Sequence, residues 1–192
     1  MSDGSVATGE RRQFGGREAA WWCASFLGFP IGGTLARVVV GPVDEDWTAF
    51  AAGLIAGFVI GAAQWLVLRM VGIDARWIAL TAAGLGVGLG VGVVLLDYGT
   101  SVGDLATVGA ISGFGVGAAQ WVQLRQHIRA SLVWIPAMAA LWALGWAVTT
   151  SIGVDVDLRW AVFGASGAIT VTVLSGGLLW LLWRAGVSEA SA

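Results

Sequence analysis

The chain has 192 residues, of which 57% are hydrophobic and 11% are charged, and its formal net charge is -2. Soluble domains carry about 25% charged residues, so ten cations and twelve anions are too few to cover a water-soluble globule of this length. This composition excludes a disordered chain. One cysteine and the lack of a basic cluster also exclude a disulfide framework and a nucleic-acid-binding protein.

Six apolar windows follow one another along the chain, and a membrane-spanning helix needs about 20 mostly apolar residues. The windows are Ala19–Gly41, Trp47–Leu68, Trp77–Leu96, Leu105–Leu124, Leu132–Ile152 and Trp160–Trp183. They are uniformly apolar rather than alternating, which predicts helices instead of barrel strands. We expect a disordered tail over residues 1–17, one six-helix membrane domain over 18–187, and a short tail over 188–192.

Every cation of the chain is an arginine, and the positions of the arginines predict an orientation. With the N-terminus inside, eight of the ten lie on the cytoplasmic side: Arg11, Arg12, Arg17, Arg69, Arg76, Arg125, Arg129 and Arg184. Seven acidic residues lie on the other side, with Arg37 and Arg159: Asp44, Glu45, Asp46, Asp97, Asp104, Asp155 and Asp157. The positive-inside rule predicts a multi-pass protein of the cell membrane with both termini cytoplasmic. We interpret the acidic loops as solvated, with a cation-attracting vestibule as the alternative.

The even-numbered helices end on a repeated pattern. Gly-x-x-Gln-Trp-x-x-Leu-Arg occurs at Gly61–Arg69 and again, 56 residues later, at Gly117–Arg125. The sixth helix ends on Gly176–Arg184, which keeps the Gly, Trp and Arg but has Leu179 in the place of the glutamine. The odd-numbered helices also agree, because each has a tryptophan near its start and a glycine eleven residues later. The chain is therefore predicted to be three tandem helical hairpins (18–72, 73–128 and 129–187) around a pseudo-threefold axis.

Glycines at four-residue spacing mark the helices of this predicted bundle. They include Gly53, Gly57 and Gly61 in the second helix and Gly109, Gly113 and Gly117 in the fourth. Small residues at this spacing let helix backbones approach closely in lipid. We interpret them as packing contacts within one fold, and a glycine-lined pore remains the alternative.

Gln64 and Gln120 are the clearest polar side chains inside the apolar windows. An interhelical hydrogen bond is the first interpretation, since a buried amide needs partners, and contact with a solute is the second. Arg69, Arg125 and Arg184 end their helices at the predicted cytoplasmic boundary. There they can anchor the helices to lipid headgroups or, as the alternative, bind an anion or a lipid phosphate near the axis.

Three further features are candidates for a role. Arg37, in the outer part of the first helix, can reach the interface or pair with an acidic residue among 44–46. Trp142 and Trp146 lie one turn apart, deeper in the fifth helix, and predict core packing or an apolar ligand pocket. Most other tryptophans are predicted to form aromatic belts at the two boundaries. The inner belt would contain Trp21, Trp22, Trp65, Trp77, Trp121, Trp134, Trp180 and Trp183, and the outer one Trp47 and Trp160.

The sequence offers no arrangement that is typical of catalysis. His127 is the only histidine, and no group of His, Cys and carboxylate residues has the spacing of metal ligands. The glycine runs follow no strand and carry no lysine, so they do not predict phosphate-binding loops. We therefore expect no enzyme, no metal and no cofactor.

The motif at Gly61–Arg69 and Gly117–Arg125 resembles one of uncharacterised small multi-spanning bacterial membrane proteins, and the resemblance extends over nearly the whole chain. It implies a bacterial membrane protein and no particular activity. We favour a structural or accessory subunit that packs within a membrane complex or binds lipid. A small-solute channel or transporter along the pseudo-threefold axis is the alternative, and a hydrophobic-ligand or pigment binder is a weaker one. The expected partners are membrane lipid and other membrane-protein subunits, not nucleic acid.

Overall fold

The described part of the chain is all-helical and has no strand. The computed structural model describes residues 13–152 and 160–188. Within these ranges the α-helices are α1 (Gly16–Ala24), α2 (Gly28–Val40), α3 (Asp46–Leu68), α4 (Arg76–Leu95), α5 (Val102–Leu124), α6 (Trp134–Ser151) and α7 (Ala165–Ser188). Short 3-10 turns occupy Ser25–Leu27, Arg69–Val71 and Ser131–Val133.

Six segments of the described chain are long and apolar enough to cross a membrane. The first runs over Gly16–Val40 and combines α1, the 3-10 turn and α2, and each of the other five contains one helix. The prediction of six spanning helices is confirmed in this sense. Six such segments are the architecture of a multi-pass integral membrane protein.

The first span is interrupted just before its proline. Pro30 has no N–H to donate to the carbonyl of Phe26 four residues earlier, so the regular helical ladder lacks one bond there. The preceding residues, Ser25–Leu27, adopt 3-10 geometry, and the Ser25 hydroxyl donates to the Trp22 carbonyl at 2.7 Å. The interruption separates α1 from α2.

From α2 onward, each helix packs against the next one along the chain. α2 contacts α3, and the contacts continue through α4, α5 and α6 to α7. α7 in turn contacts α1, so the last span lies beside the first. The side chains that point inward from these helices form one buried core.

Glycines lie where two backbones come closest. A Cβ atom on Gly84 of α4 would lie 2.6 Å from the Gly115 carbonyl oxygen of α5, and one on Gly53 of α3 would lie 2.8 Å from the Cα of Gly86 in α4. A Cβ on Gly113 of α5 would overlap the backbone of Met138 in α6. Any larger residue would force these helices apart, as expected for packing through small residues.

Part of the predicted tail, residues 1–17, belongs to the fold. Phe14 is 1% exposed, and α1 starts at Gly16. Phe14 stacks on Trp183 at 5.8 Å between ring centroids and meets Trp22 edge-on at 6.3 Å. The burial of this ring joins the end of the tail to the bundle.

The last span begins later than the predicted window, Trp160–Trp183. α7 starts at Ala165, and Ala161, Val162 and Phe163 precede it outside any helix yet are 5%, 4% and 1% exposed. A buried loop and a helix are equally apolar in sequence, so hydropathy does not separate them. Arg11, Arg12, Asp155, Asp157, Arg159 and the end of the 188–192 tail lie outside the described residues.

Candidate functional site

The two intramembrane glutamines contact each other in the interior. Gln120 on α5 donates through Nε2 to Gln64 Oε1 on α3 at 3.0 Å. The same amide nitrogen donates to the Thr81 hydroxyl on α4, also at 3.0 Å. Gln64 is 4% exposed, while Gln120 and Thr81 are fully buried. One amide therefore joins three helices.

Two tryptophans complete the hydrogen bonding of these amides. Trp77, at the start of α4, donates its indole N–H to Gln64 Oε1 at 3.1 Å. Trp134, at the start of α6, donates to Gln120 Oε1 at 3.0 Å. Both indoles are fully buried. We call Gln64, Trp77, Thr81, Gln120 and Trp134 the glutamine–tryptophan cluster. Its members bond to one another, which is how buried polar groups offset the cost of leaving water.

A third buried tryptophan has a different partner. Trp22 on α1 is fully buried and donates its indole N–H to the Ser175 hydroxyl on α7 at 3.1 Å. Ser175 in turn donates to the Thr172 carbonyl at 3.2 Å. The sequence motif aligns Leu179 with the two glutamines and so misses Ser175, which lies one helical turn earlier. The signal in the sequence that indicates Ser175 is a serine inside an apolar helix.

The predicted inner aromatic belt is not confirmed. Trp22, Trp77 and Trp134 are 0% exposed and Trp183 is 8% exposed, so these four rings face the protein interior instead of lipid. Only Trp21 among the inner set is largely exposed, at 60%. A tryptophan at a helix boundary can face either side, and its indole N–H selects the interior where a polar partner is available.

Another part of the interior is filled by an aromatic cluster of Phe29, Trp142, Trp146 and Phe163. Phe163 stacks on Phe29 at 5.0 Å and meets Trp142 and Trp146 edge-on at 5.1 and 6.0 Å between ring centroids. Phe29 lies 5.7 Å from Trp142. Trp142 and Trp146, the candidate pocket residues, therefore pack against neighbouring rings. The Trp142 Nε1 atom has no hydrogen-bond partner among the described residues.

A small cavity adjoins this aromatic cluster. It has a volume of about 30 Å³, and its lining includes Trp146, Trp160, Tyr98, Val108 and Leu89. A cavity of that volume has room for water. The cavity is too small for an organic solute or a pigment.

The three arginines at the ends of α3, α5 and α7 share one local geometry. Each is exposed and stacks over the tryptophan one turn earlier on its own helix. The guanidinium carbon lies 5.6 Å from the ring centroid for Arg69 on Trp65, 5.1 Å for Arg125 on Trp121 and 4.2 Å for Arg184 on Trp180. Distances below about 6 Å are those of cation–π contacts.

Arg37 also stacks on an aromatic ring. Its guanidinium carbon lies 5.9 Å from the centroid of Trp160, which places the non-helical segment before α7 beside the end of α2. Arg37 lies in the last turn of α2, where a cation is favourable against the negative end of the helix dipole.

The only tyrosine of the chain joins two of the acidic loops. The Tyr98 hydroxyl donates to the Asp46 carboxylate at the start of α3. This hydrogen bond, the loss of hydration and the nearby charges of Asp46, Asp44 and Glu45 raise the pKa of Tyr98 to about 12. Tyr98 has a left-handed backbone with φ of 56°, so the loop between α4 and α5 holds it in a conformation that costs energy for a non-glycine residue.

A further buried glutamine, Gln123, is not among the predicted site residues. Gln123 on α5 is 5% exposed and donates to the Asp74 carboxylate at 3.0 Å. The Gln123 bond to Asp74 attaches the loop before α4 to the end of α5. The backbone carbonyl of Gln123 lies 3.2 Å from Nδ1 of His127. The second glutamine-bearing motif, with Gln123 in the place of Val67, contained the signal.

No group of three or more His, Cys, Asp or Glu residues that could hold a metal ion occurs in the described ranges. No family model, no curated protein and no solved structure matches this chain.

Proposed function

We propose that the protein is a non-conducting structural or accessory subunit of a membrane assembly. The observation that carries the proposal is the glutamine–tryptophan cluster. A solute pathway lined by Gln64 and Gln120 needs amide groups that face water or a ligand. Instead the Gln120 amide is bonded to Gln64, Thr81 and Trp134 at 3.0 Å each.

The packing beyond the cluster supports the same function. At the outer end, Phe29, Trp142 and Phe163 are each about 1% exposed and fill the space between the first span, α6 and the segment before α7. At the other end, Phe14 is inserted between Trp22 and Trp183. Aromatic rings that pack on one another disfavour a polar route through the described part of the bundle, and transporter sites near the midplane usually contain charged or unwound elements.

A pseudo-threefold arrangement of three hairpins is part of the proposal. Its support is that Trp22, Trp77 and Trp134 each donate an indole N–H to a polar side chain on an even-numbered span. The tryptophan–arginine stacks at the ends of α3, α5 and α7 repeat in the same way. Under this arrangement Ser175 takes the place of the third glutamine. The hairpins correspond to the predicted repeats 18–72, 73–128 and 129–187.

The surroundings follow from the distribution of charge. We place both termini in the cytoplasm of a bacterial cell membrane, because Arg69, Arg125 and Arg184 end three spans on one face and the acidic loops lie on the other. The partners are membrane lipid and other membrane-protein subunits, and the role requires no catalysis. We also propose that the chain groups with the small multi-spanning bacterial membrane proteins that carry the Gly-x-x-Gln-Trp-x-x-Leu-Arg motif.

Reconstitution into vesicles tests the non-conducting role. The full chain is incorporated into liposomes, and the entry of water, glycerol and monovalent ions is followed by stopped-flow light scattering and ion-sensitive dyes. We expect rates equal to those of protein-free vesicles. Protein-dependent flux of any of these solutes would contradict the proposal. Loss of that flux in a Gln64→Leu, Gln120→Leu double variant would place the pathway at the cluster.

A further inference from the structure

Arg69 is exposed and forms no salt bridge with a carboxylate of the described residues. Within the described residues, Arg76 pairs with Asp74 at 3.4 Å and Arg17 with Glu18 at 3.2 Å, whereas no such bridge involves Arg69. Its described contact is the ring of Trp65, 5.6 Å away. An arginine of this kind at a membrane boundary offers its N–H groups to an external anion.

The aromatic side of this contact is fixed in place. Trp65 is half-buried, and its indole N–H donates to the Ile73 carbonyl in the loop after α3 at 3.2 Å. A guanidinium that stacks on a held ring loses less freedom when it binds, because its plane is already oriented. A guanidinium has N–H groups whose planar arrangement fits the geometry of a phosphate.

An apolar groove adjoins the same end of α3. It has a volume of about 410 Å³ and lies between the first span and α3, with a lining that includes Trp21, Leu27, Ile31, Leu66 and Met70. Arg69 lies between Leu66 and Met70 in sequence. The groove runs along the 3-10 turn at Ser25–Leu27, and small residues deepen it, namely Ala24, Gly28 and Ala63.

We propose that this groove and Arg69 bind one anionic phospholipid, with an acyl chain in the groove and the phosphate on the guanidinium. The volume lies within the range of about 300–1,000 Å³ that is typical of ligand sites. The exposed lining (Trp21, Leu27, Ile31 and Leu66) faces hydrocarbon when the chain lies in a bilayer. The positive charge of Arg69, which lies between the lining residues Leu66 and Met70 in sequence, favours a lipid with a negative headgroup. The site rests on the proposed function only in requiring a membrane-embedded chain.

The chain contains its own control for this site. Arg125 has the same stack on a tryptophan one turn earlier, at 5.1 Å, and it too has no salt bridge among the described residues. However, the neighbouring helix α4 runs from Arg76 to Leu95 without a 3-10 interruption. If the lipid needs the groove as well as the charge, Arg69 and Arg125 will differ. If arginines merely anchor helices to headgroups, they will be equivalent.

Native mass spectrometry of the full chain in detergent tests the site. Phosphatidylglycerol is titrated into the wild-type protein and three variants: Arg69→Gln, Arg125→Gln and Ala24→Phe. Ala24 is exposed, so phenylalanine at this position fills the groove without entering the core. We expect the first phosphatidylglycerol to bind about fivefold more weakly to Arg69→Gln, the effect of one interfacial arginine. Ala24→Phe should weaken it at least as much, and Arg125→Gln should leave it unchanged.

Several results would overturn the site. Equal weakening by Arg69→Gln and Arg125→Gln would indicate general anchoring. Equal affinity for phosphatidylcholine would show that the negative headgroup is not recognised. Competition by millimolar inorganic phosphate, with no effect of Ala24→Phe, would indicate a free-anion site instead of a lipid site. None of these results bears on flux through the bundle, so the lipid site and the non-conducting role can fail separately.

Discussion

Replacing Gln120 by leucine removes the centre of the glutamine–tryptophan cluster. The substitution deletes two donated hydrogen bonds, to Gln64 and Thr81, and one accepted from Trp134. It leaves the Trp134 indole N–H without a partner in a fully buried position. Leucine is similar in volume to glutamine, so the perturbation acts mainly on hydrogen bonding rather than on packing.

The expected loss of stability follows from that count. Hydrogen bonds between membrane helices contribute about 0.6 kcal/mol on average and about 1.7 kcal/mol at most. The two bonds that Gln120 donates amount to about 1 kcal/mol, and the Trp134 donor that is left unpartnered costs about 1–3 kcal/mol. We therefore expect Gln120→Leu to lower the free energy of unfolding by about 2–4 kcal/mol.

Unfolding in mixed micelles with increasing SDS, followed by tryptophan fluorescence, measures this loss. Gln126→Leu is the matched control, because Gln126 is exposed in the turn after α5 and its described side-chain bond is local, at 3.4 Å to the Val122 carbonyl. The control should change stability by less than about 0.5 kcal/mol. Combined with Gln64→Leu in a double-mutant cycle, Gln120→Leu should show a coupling of about 0.6–1.7 kcal/mol. Equal effects of Gln120→Leu and Gln126→Leu, or zero coupling, would refute the reasoning.

Two further predictions concern the helix contacts and the loops. Gly113→Ala should destabilise the protein by about 1–3 kcal/mol because its Cβ would overlap the backbone of Met138. Gly177→Ala places its new Cβ where no atom lies within 4 Å, so it should be neutral or slightly stabilising in the same SDS titration. Equal losses of stability in the two variants would contradict close packing at Gly113. Tyr98 should ionise near pH 12 in an ultraviolet absorbance titration, and Asp46→Asn should lower that pKa toward 10. Because the folded-state pKa of Tyr98 is raised, its hydrogen bond to Asp46 stabilises the fold fully below pH 10 and is lost as the pH rises through 12. A wild-type Tyr98 pKa near 10 would exclude this bond.

The number and rough limits of the spans could be predicted from the sequence because hydropathy and span length are local properties. The start of the last span could not be predicted in this way, since Val162 and Phe163 are as apolar as the helix that follows them. Phe163 packs against the rings of Phe29 and Trp142, which are distant in sequence. Local hydropathy contains no information about such contacts.

The candidate site could be predicted only in part. Gln64 and Gln120 stand out because an amide inside an apolar helix needs a partner, but their mutual contact depends on how α3, α4 and α5 are arranged. The inner tryptophan belt was a wrong prediction at Trp22, Trp77 and Trp134, since a boundary position does not determine the direction of a side chain. Ser175 was missed because the repeat was aligned on residue identity rather than on hydrogen-bonding partner.

The accessibility of Thr81 to water tests the central claim, a filled interior at the glutamine–tryptophan cluster, most directly. Thr81→Cys is made in a Cys23→Ala background, which removes the only native thiol, and Gln126→Cys serves as the exposed control. A membrane-impermeant, water-soluble thiol reagent is applied to vesicles from both sides. Thr81 is fully buried, so Thr81→Cys should stay unlabelled until SDS unfolds the protein, while Gln126→Cys reacts at once. Labelling of Thr81→Cys in the folded protein at a rate near that of Gln126→Cys would reveal a water-filled pathway and contradict the account.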